Sequence, residues 1–459
     1  MAEPVKSNDE REDNNQVAVA AVPNVEASPQ IFKLDIDCCE ELLDWLSLVD
    51  LHSFGQSCTT LEQVAGHVFK QTYPKVIVVC GSDGIYIDTV QMNGFCDFIQ
   101  HLTFRSNNMG PFVFTQSRSF KSVKNLGFHH MELTCNKVEC IKHILANVEE
   151  VELYGCTLNG DFYENFLKFC PNLNSLTIGV YYTDANVDLA DSRMPLIGAD
   201  NSWLLREYPN LKCFTLYGSL LTARLAELNR FFEMNPSIRK FTTNGQFFLV
   251  GPIKDCKLDL DDLIILMNGF DTITFYLTNI YEKISQTIIR HTGSFKRLHL
   301  YVNELNKDEV KRFNKIETLH TSSLTADSAA GLTNLKALSL GSDEVNHHEI
   351  STLINLERAI FTRVSPVDIL AYISGLAKLQ QIEVKQLIGT DIIDVRKLNK
   401  ERKQLPGARK VLLYVDKTVY LATKWSGMEM DCDLVGMKRL DSIDCGKSLD
   451  DQSIRKNFG

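Results

Sequence analysis

The sequence lacks any apolar run near the length of a membrane span, which excludes a transmembrane helix by the usual length rule. The stretch VAVAAV at 17–22 is too short for a signal-peptide core and follows acidic flanks. A CxxC pair is also missing: 13 cysteines, an odd number, are scattered from Cys38 to Cys445. With no secretory signal expected, they read as reduced thiols in the cytoplasm or nucleus. Excess positive charge is absent as well. Lys and Arg number 48 against 58 Asp and Glu, a formal net charge of -10. That balance argues against a large nucleic-acid footprint. Neither a membrane nor a nucleic acid is an expected partner.

Chemical motifs are missing too. No G-x-S-x-G, H-E-x-x-H or kinase-like set occurs. GSDG at 81–84 lacks the Gly-Lys-Ser/Thr of a phosphate loop and reads as a tight turn. His129, His130, Cys135 and Cys140 lie close together, but their spacing fits no standard zinc finger. Adjacent His129 and His130 also point to opposite faces of a strand. No metal, cofactor or enzymatic activity is expected.

What is present is 459 residues, 44% of them hydrophobic, enough for one or two domains with a large core. Residues 1–30 are polar, aperiodic and expected to be disordered. Residues 31–73 read as a small three-helix domain. Asp37 with Glu40, Ser47 with Asp50, and Thr59 with Glu62 have the spacing of helix-start capping boxes. Residues 74–98 follow as two strand-like runs around GSDG, a hairpin placed to cap what comes next.

From residue 99 the chain repeats. The unit is L-x-x-L-x-L with any apolar residue at the L positions. Copies are Ile99/Leu102/Phe104, Val123/Leu126/Phe128, Val148/Val151/Leu153, Leu173/Leu176/Ile178, Leu211/Phe214/Leu216 and Ile238/Phe241/Thr243. They continue as Phe270/Ile273/Phe275, Phe295/Leu298/Leu300, Leu335/Leu338/Leu340, Leu356/Ala359/Phe361 and Leu379/Ile382/Val384, with a weaker Ile316/Leu319/Thr321. The first four begin at 99, 123, 148 and 173, so they stand 24, 25 and 25 residues apart. The intervals from 173 to 211 (38) and from 238 to 270 (32) read as insertions. Helix patterning fills the gaps: Val138, Ile141 and Leu145 share a face, as do Leu221, Leu225, Leu228 and Phe232. Ser365, Pro366 and Asp368 form a helix start. VLLYV at 411–415 is the expected last strand. Residues 426–459 are left as a tail or cap, with helix-like Leu434, Met437 and Leu440.

These copies resemble leucine-rich repeats of the irregular, long-unit kind over 99–425. The resemblance implies an α/β solenoid, a horseshoe with a parallel concave sheet, in which each repeat buries its neighbour's apolar face. Such families favour Asn or Cys at the ninth position, where the side chain bonds backbone in the turn. Asn107, Cys156 and Asn303 match, whereas Met131, Tyr181, Ser219 and Val364 do not.

Residues 34–73 resemble an F-box. Leu34, Glu40, Leu42, Leu43, Leu46, Ser47, Asp50, Leu51, Ser57 and Cys58 match its pattern. Asp35 stands where the usual Pro would, and Leu61 where the usual Trp would. By that resemblance, Leu34, Leu42, Leu43, Leu46, Leu48, Leu51, Phe54 and Cys58 bind a Skp-type adaptor and so connect the chain to a cullin-RING ligase core. The repeats then hold a protein substrate, and the chain is a substrate-recognition adaptor of an SCF-type ubiquitin ligase. The other reading is a leucine-rich-repeat scaffold with no ligase connection, its helical segment packing on the first repeat as a cap.

If the L positions point inward, the alternate residues line the concave sheet. The seventh-position column contains Tyr154, Tyr217, Tyr276 and Tyr301, and the fifth contains His299 and His320. Tyr is enriched at binding hot spots, which makes Tyr154, Tyr217, Tyr276, Tyr301, His299 and Arg297 the candidate substrate contacts. Cross-strand packing of β-favouring residues is the competing explanation. Glu150 and Glu152 at one end, with Arg297 and Arg358 toward the other, suggest a polarised face.

Overall fold

Each L-x-x-L-x-L run puts apolar side chains on one face of an extended segment, and that face can be buried only by the next copy and the helices between. The protein is described by a computed structural model. It describes residues 42–43, 45–73, 77–80, 85–87, 90–91, 94–105, 119–158, 161–179, 202–216, 225–244, 259–266, 295–302, 316–321, 324–341 and 352–440. The chain divides into two units, Met1–Leu46 and Ser47–Gly459. The division falls inside the 31–73 segment expected as one helical domain. In the first unit, Leu43 is buried and Leu42 and Trp45 are exposed.

The second unit opens with helices Leu48–Gly55 and Thr59–Thr72. Ser47 caps the first by accepting the Asp50 N–H. Thr59 does not cap the second as expected: it lies inside the helix, and Cys58 precedes it without a side-chain cap. The strands follow: β1 (Val78–Cys80), β2 (Ile85–Ile87), β3 (Val90–Gln91), β4 (His101–Arg105), β5 (Asn125–His129) and β6 (Glu132–Leu133). Next are β7 (Glu150–Tyr154), β8 (Thr157–Leu158), β9 (Ser175–Gly179), β10 (Cys213–Leu216), β11 (Lys240–Asn244) and β12 (Leu260–Leu266). The chain continues through β13 (Phe295–Val302), β14 (Ile316–Thr321), β15 (Ala337–Leu340), β16 (Arg358–Val364), β17 (Gln381–Leu387), β18 (Val411–Val415) and β19 (Val435–Arg439).

All but β6 and β8 belong to one 17-stranded sheet, and β6 and β8 pair with each other. From β4 to β19 every main-sheet neighbour is parallel. At the start, β1 pairs parallel with β4 and antiparallel with β2. The register is one repeat per strand: Leu102, Leu126, Val151, Leu176, Phe214, Phe241, Leu263 and Leu298 lie side by side, all buried.

Two strands depart from expectation. β12 occupies the interval read as an insertion, between β11 and β13. The expected Phe270/Ile273/Phe275 copy lies outside the described residues. At the far end β19 adds a strand beyond β18, and Met437 packs in it as a buried strand residue rather than on a helix. The weak copy is also out of step. A bulge at Leu298/His299 lets Leu298 pair with Ile316 and Leu300 with Leu319, so its fourth position meets the sixth of the repeat before.

Aromatic rings join the apolar face to the helical layer. Phe104 stacks on Phe128 at 5.3 Å, and contacts run on through Phe166, Phe162, Trp203 and Phe214 to Phe241. Phe231, on helix Leu225–Met234, sits 4.8 Å from Phe214. Helix Pro366–Gly375 has the expected start, with Ser365 and Asp368 forming a reciprocal capping box. Its last turn, at Ile373, and the residues beyond it meet Arg402, from helix Val395–Lys403. The fully buried guanidinium donates to the carbonyls of Ile373, Leu376, Ala377, Leu379 and Arg409. It thereby serves the Ile373 carbonyl in the last helical turn, where intrahelical donors run out, together with acceptors in the turns beyond. Burial lowers its pKa to about 10, which keeps the charge at neutral pH.

Arg402→Met should lower unfolding free energy by at least ~3 kcal/mol, because it strands several buried carbonyls at once. Lys should not rescue it, since one ammonium cannot span this fork of acceptors. Urea denaturation of the three proteins at pH 7 measures the difference.

Candidate functional site

Helix contacts at Phe128, Phe214 and Phe361 define one face of the sheet. The candidate substrate residues stand on the other. Register places Thr103, Gly127, Glu152, Thr177, Thr215, Thr242, Ile264, His299 and Thr318 in one row across that face. The next row holds His129, Tyr154, Gly179, then Leu266, Tyr301, His320, Ser339, Ile360 and Glu383. The bulge explains why His320, expected in the fifth-position column, stands in the row of Tyr301.

This face is buried over much of its length. Tyr154 is 1% exposed, His299 3% and Tyr301 6%; Thr242, Thr318 and Ser339 are also buried. Tyr154, Ile264, Leu266 and Tyr301 belong to one buried apolar cluster. Tyr217 and Tyr276 lie outside the described residues. Strands β12 to β15 are thus buried on both faces at their C-terminal ends, as strands of a parallel sheet commonly are.

Several polar groups on this face pair with one another. Asp262 stands opposite Arg297 and accepts two hydrogen bonds from its guanidinium, at 2.6 and 2.8 Å. His299 Nε2 lies 2.7 Å from the same carboxylate. Burial pushes the Asp262 carboxyl up, but the bonds from His299 and Arg297 outweigh it and hold it below the usual range. The same bond to Asp262 raises Arg297 above its ordinary value. His299 Nδ1 is buried and has no hydrogen-bond partner among the described residues. Tyr301 and His320 stack face to face, centroids 3.8 Å apart. Arg358 pairs with the buried Glu383, its Nε donating at 2.9 Å, and Gln381 donates to the same oxygen.

The polarised face suggested by Arg297 and Arg358 is corrected by these contacts. Each cation is neutralised by a carboxylate one strand away, Asp262 or Glu383. Sequence separations of 35 and 25 residues hide both pairs from a reading along the chain. At the other end of the sheet, His129 packs edge-on against Tyr154 at 5.0 Å. Burial, then the charges of Arg105, His130 and His101, lowers its pKa to about 4.

Repeat turns carry side-chain bonds of two kinds. Cys156 donates its S–H to the Phe128 carbonyl at 3.1 Å, the ninth-position role expected of it. Asn107 and Asn303 lie outside the described residues. A second ladder went unread: Asn172, Asn210 and Asn355 each immediately precede the first L of a repeat. They donate back to Ala146, Pro171 and Thr333 of the preceding repeat. The recurring dipeptide Asn-Leu was the signal.

Among the adaptor-motif residues, Leu51 is buried, Leu48 and Phe54 are half-buried, and Cys58 is exposed. Leu46, in the first unit, is half-buried, and Leu34 lies outside the described residues. The two helices pack on residues 94–98. Phe95 stacks on Phe69 at 5.3 Å and meets His52 edge-on at 5.5 Å. A Cβ at Gly55 would come within 2.8 Å of the Phe95 ring, so only glycine admits the ring so closely. Phe95 pays with a left-handed backbone, φ 65°, a strain on the order of 1–3 kcal/mol.

No group of His, Cys, Asp or Glu among the described residues is arranged to hold a metal ion. No helix among them is long and apolar enough to cross a membrane. The architecture defines the class: an α/β solenoid of leucine-rich-repeat type, with a long parallel sheet. No protein-family model matches the sequence, and no curated protein matches it. Solved structures with some likeness include a TLR13–ssRNA13 complex, at 11% identity and a TM-score of 0.31. The match covers 76% of this chain and 54% of that one, so this chain spans about half its length. Another is the yeast Rad7 and Elc1 complex, at 14% identity and a TM-score of 0.32, covering 79% of this chain and 92% of that one. Both likenesses are loose and neither bears on function.

Two outcomes follow from the buried face. Tyr154→Ala and Tyr301→Ala should each destabilise by about 3 kcal/mol, as core truncations do. Loss under ~0.5 kcal/mol, typical of surface sites, would contradict the packing. His129 is kept neutral in the folded chain, so its contribution is complete above pH ~6.5 and lost as pH falls toward 4. The stability difference between wild type and His129→Gln should therefore shrink over that interval in urea titrations.

Proposed function

We propose that this chain is a substrate-recognition adaptor of an SCF-type ubiquitin ligase. The F-box-like residues would bind a Skp-type adaptor, and the solenoid would hold a protein substrate. Such a chain performs no chemistry. It raises the effective concentration of substrate near a ubiquitin-conjugating enzyme. The observation that carries this reading is an order of parts: an F-box-like motif directly before a parallel repeat sheet. Its motif region also keeps large apolar side chains at the surface. Leu42 is 52% exposed and Trp45 40% in the first unit; Val49 is 46% exposed in the second. Exposed apolar groups of this size are characteristic of interaction sites.

The second reading is an interaction scaffold without a ligase role, and a specific observation favours it. Leu51, Ala65 and Phe69 are buried and Phe95 stacks on Phe69, which is what a cap on the first repeats requires. For substrate capture, the buried state of Tyr154, Tyr301 and His299 points to strand ends and turns as the contact region.

Capture of a Skp-type adaptor by tagged full-length protein separates the two. Wild type should retain the adaptor, and Leu42→Asp with Val49→Asp should lose it while keeping its melting temperature. Leu51 is unsuitable for this test, because a charge there disrupts the helix pair itself. Failure of purified wild type to bind purified Skp-type adaptor at micromolar concentration would leave the scaffold reading.

A further inference from the structure

We propose that His52 is an acid-sensitive latch: its neutral imidazole holds helix Leu48–Gly55 on the Gly94–Phe95 turn, and protonation at Nε2 releases it. The inference concerns how the opening helices attach to the sheet, and it stands whichever partner they bind.

The argument begins with donors. The Gly94 backbone N–H points at His52 Nε2, 3.2 Å away, and the Gln56 side-chain amide lies 3.3 Å from the same nitrogen. A backbone amide can only donate, so Nε2 accepts and carries no proton. The proton of the neutral ring is therefore on Nδ1. Adding one to Nε2 would set N–H against N–H at hydrogen-bond distance. His52 is buried, so the cation formed would not be rehydrated without movement.

The surroundings fit a releasable joint. Glu62 is the charged group facing the ring from helix Thr59–Thr72; its Oε1 lies 3.8 Å from where a Gly94 Cβ would stand. The segment 94–98 presents Gly94 and Phe95 to the ring, with Cys96 and Asp97 as its titratable groups; Asp97 is paired with Lys121. Burial lowers the His52 pKa and Glu62 partly opposes this. The neutral form is thus complete above pH ~6.5, and docking weakens as pH falls below it. Phe95, the residue clamped by His52, Phe69 and Phe98, has the left-handed backbone noted above. Strain at the clamped residue favours the released state once the bond is lost.

The experiment uses the full chain, selectively labelled with 15N-histidine, alongside hydrogen exchange of peptides covering 48–72 and 94–98 from pH 7.5 to 5. The expected result is an unprotonated Nε2 at neutral pH. Protection of both segments, corrected for intrinsic rates, should then fall by tenfold or more as His52 protonates. His52→Gln offers a carbonyl acceptor that does not titrate, so its protection should stay level across the range. A protonated Nε2 at neutral pH would overturn the proposal, as would wild-type protection that does not change with pH. If the Gln variant fails to dock at pH 7.5, the wild-type tautomer and its exchange profile still decide the matter.

Discussion

Every main-sheet strand from β4 to β18 depends on the next repeat for half of its backbone hydrogen bonds and for the cover over its apolar positions. That reciprocal need is the constraint from which the rest follows. It fixes register, because a slip by one residue would turn the row from Leu102 to Leu298 outward. It also makes local contributions inseparable. The stacks of Phe104 on Phe128 and of Phe214 on Phe241, and the asparagine bonds to the preceding repeat, are made between repeats, so no single unit holds its own geometry.

Where regularity fails, specific contacts take over. At Leu298/His299 the bulge shifts the frame, and the Asp262–Arg297–His299 network sits beside it. Near the C-terminal end, Arg402 gathers carbonyls from the last turn of helix Pro366–Gly375, from the residues after it and from Arg409. The last strand is closed differently. The Met437 N–H donates to the Met430 carbonyl and Asp431 bridges Gly436, so a returning segment covers part of what would be an open edge.

The repeat architecture was legible because its signal is redundant: many copies carry the same apolar spacing. Single elements were less so. β12 was missed because Asp259, Asp261 and Asp262 interrupt its pattern, although LIIL at 263–266 is the continuous apolar run of a doubly buried strand. In β19 the spacing of Leu434, Met437 and Leu440 fits a helix equally well, and only pairing with β18 decides it. The sheet face opposite the helices read as solvent-facing because Thr, His and Tyr alternate with Leu there. Their burial depends on contacts across the sheet that no local window contains. Of the candidate site, the ninth-position role of Cys156 was readable from residue type, while the charge pairs were not, since their partners come from neighbouring repeats.

Hydrogen exchange of residues 260–266 in the native protein tests the central claim, an uninterrupted parallel sheet with one strand per repeat. If β12 pairs on both sides, its amides should exchange as slowly as those of β11 and β13, within about tenfold. Exchange at the rate of an unstructured peptide would show that this interval is an insertion loop and would contradict the account.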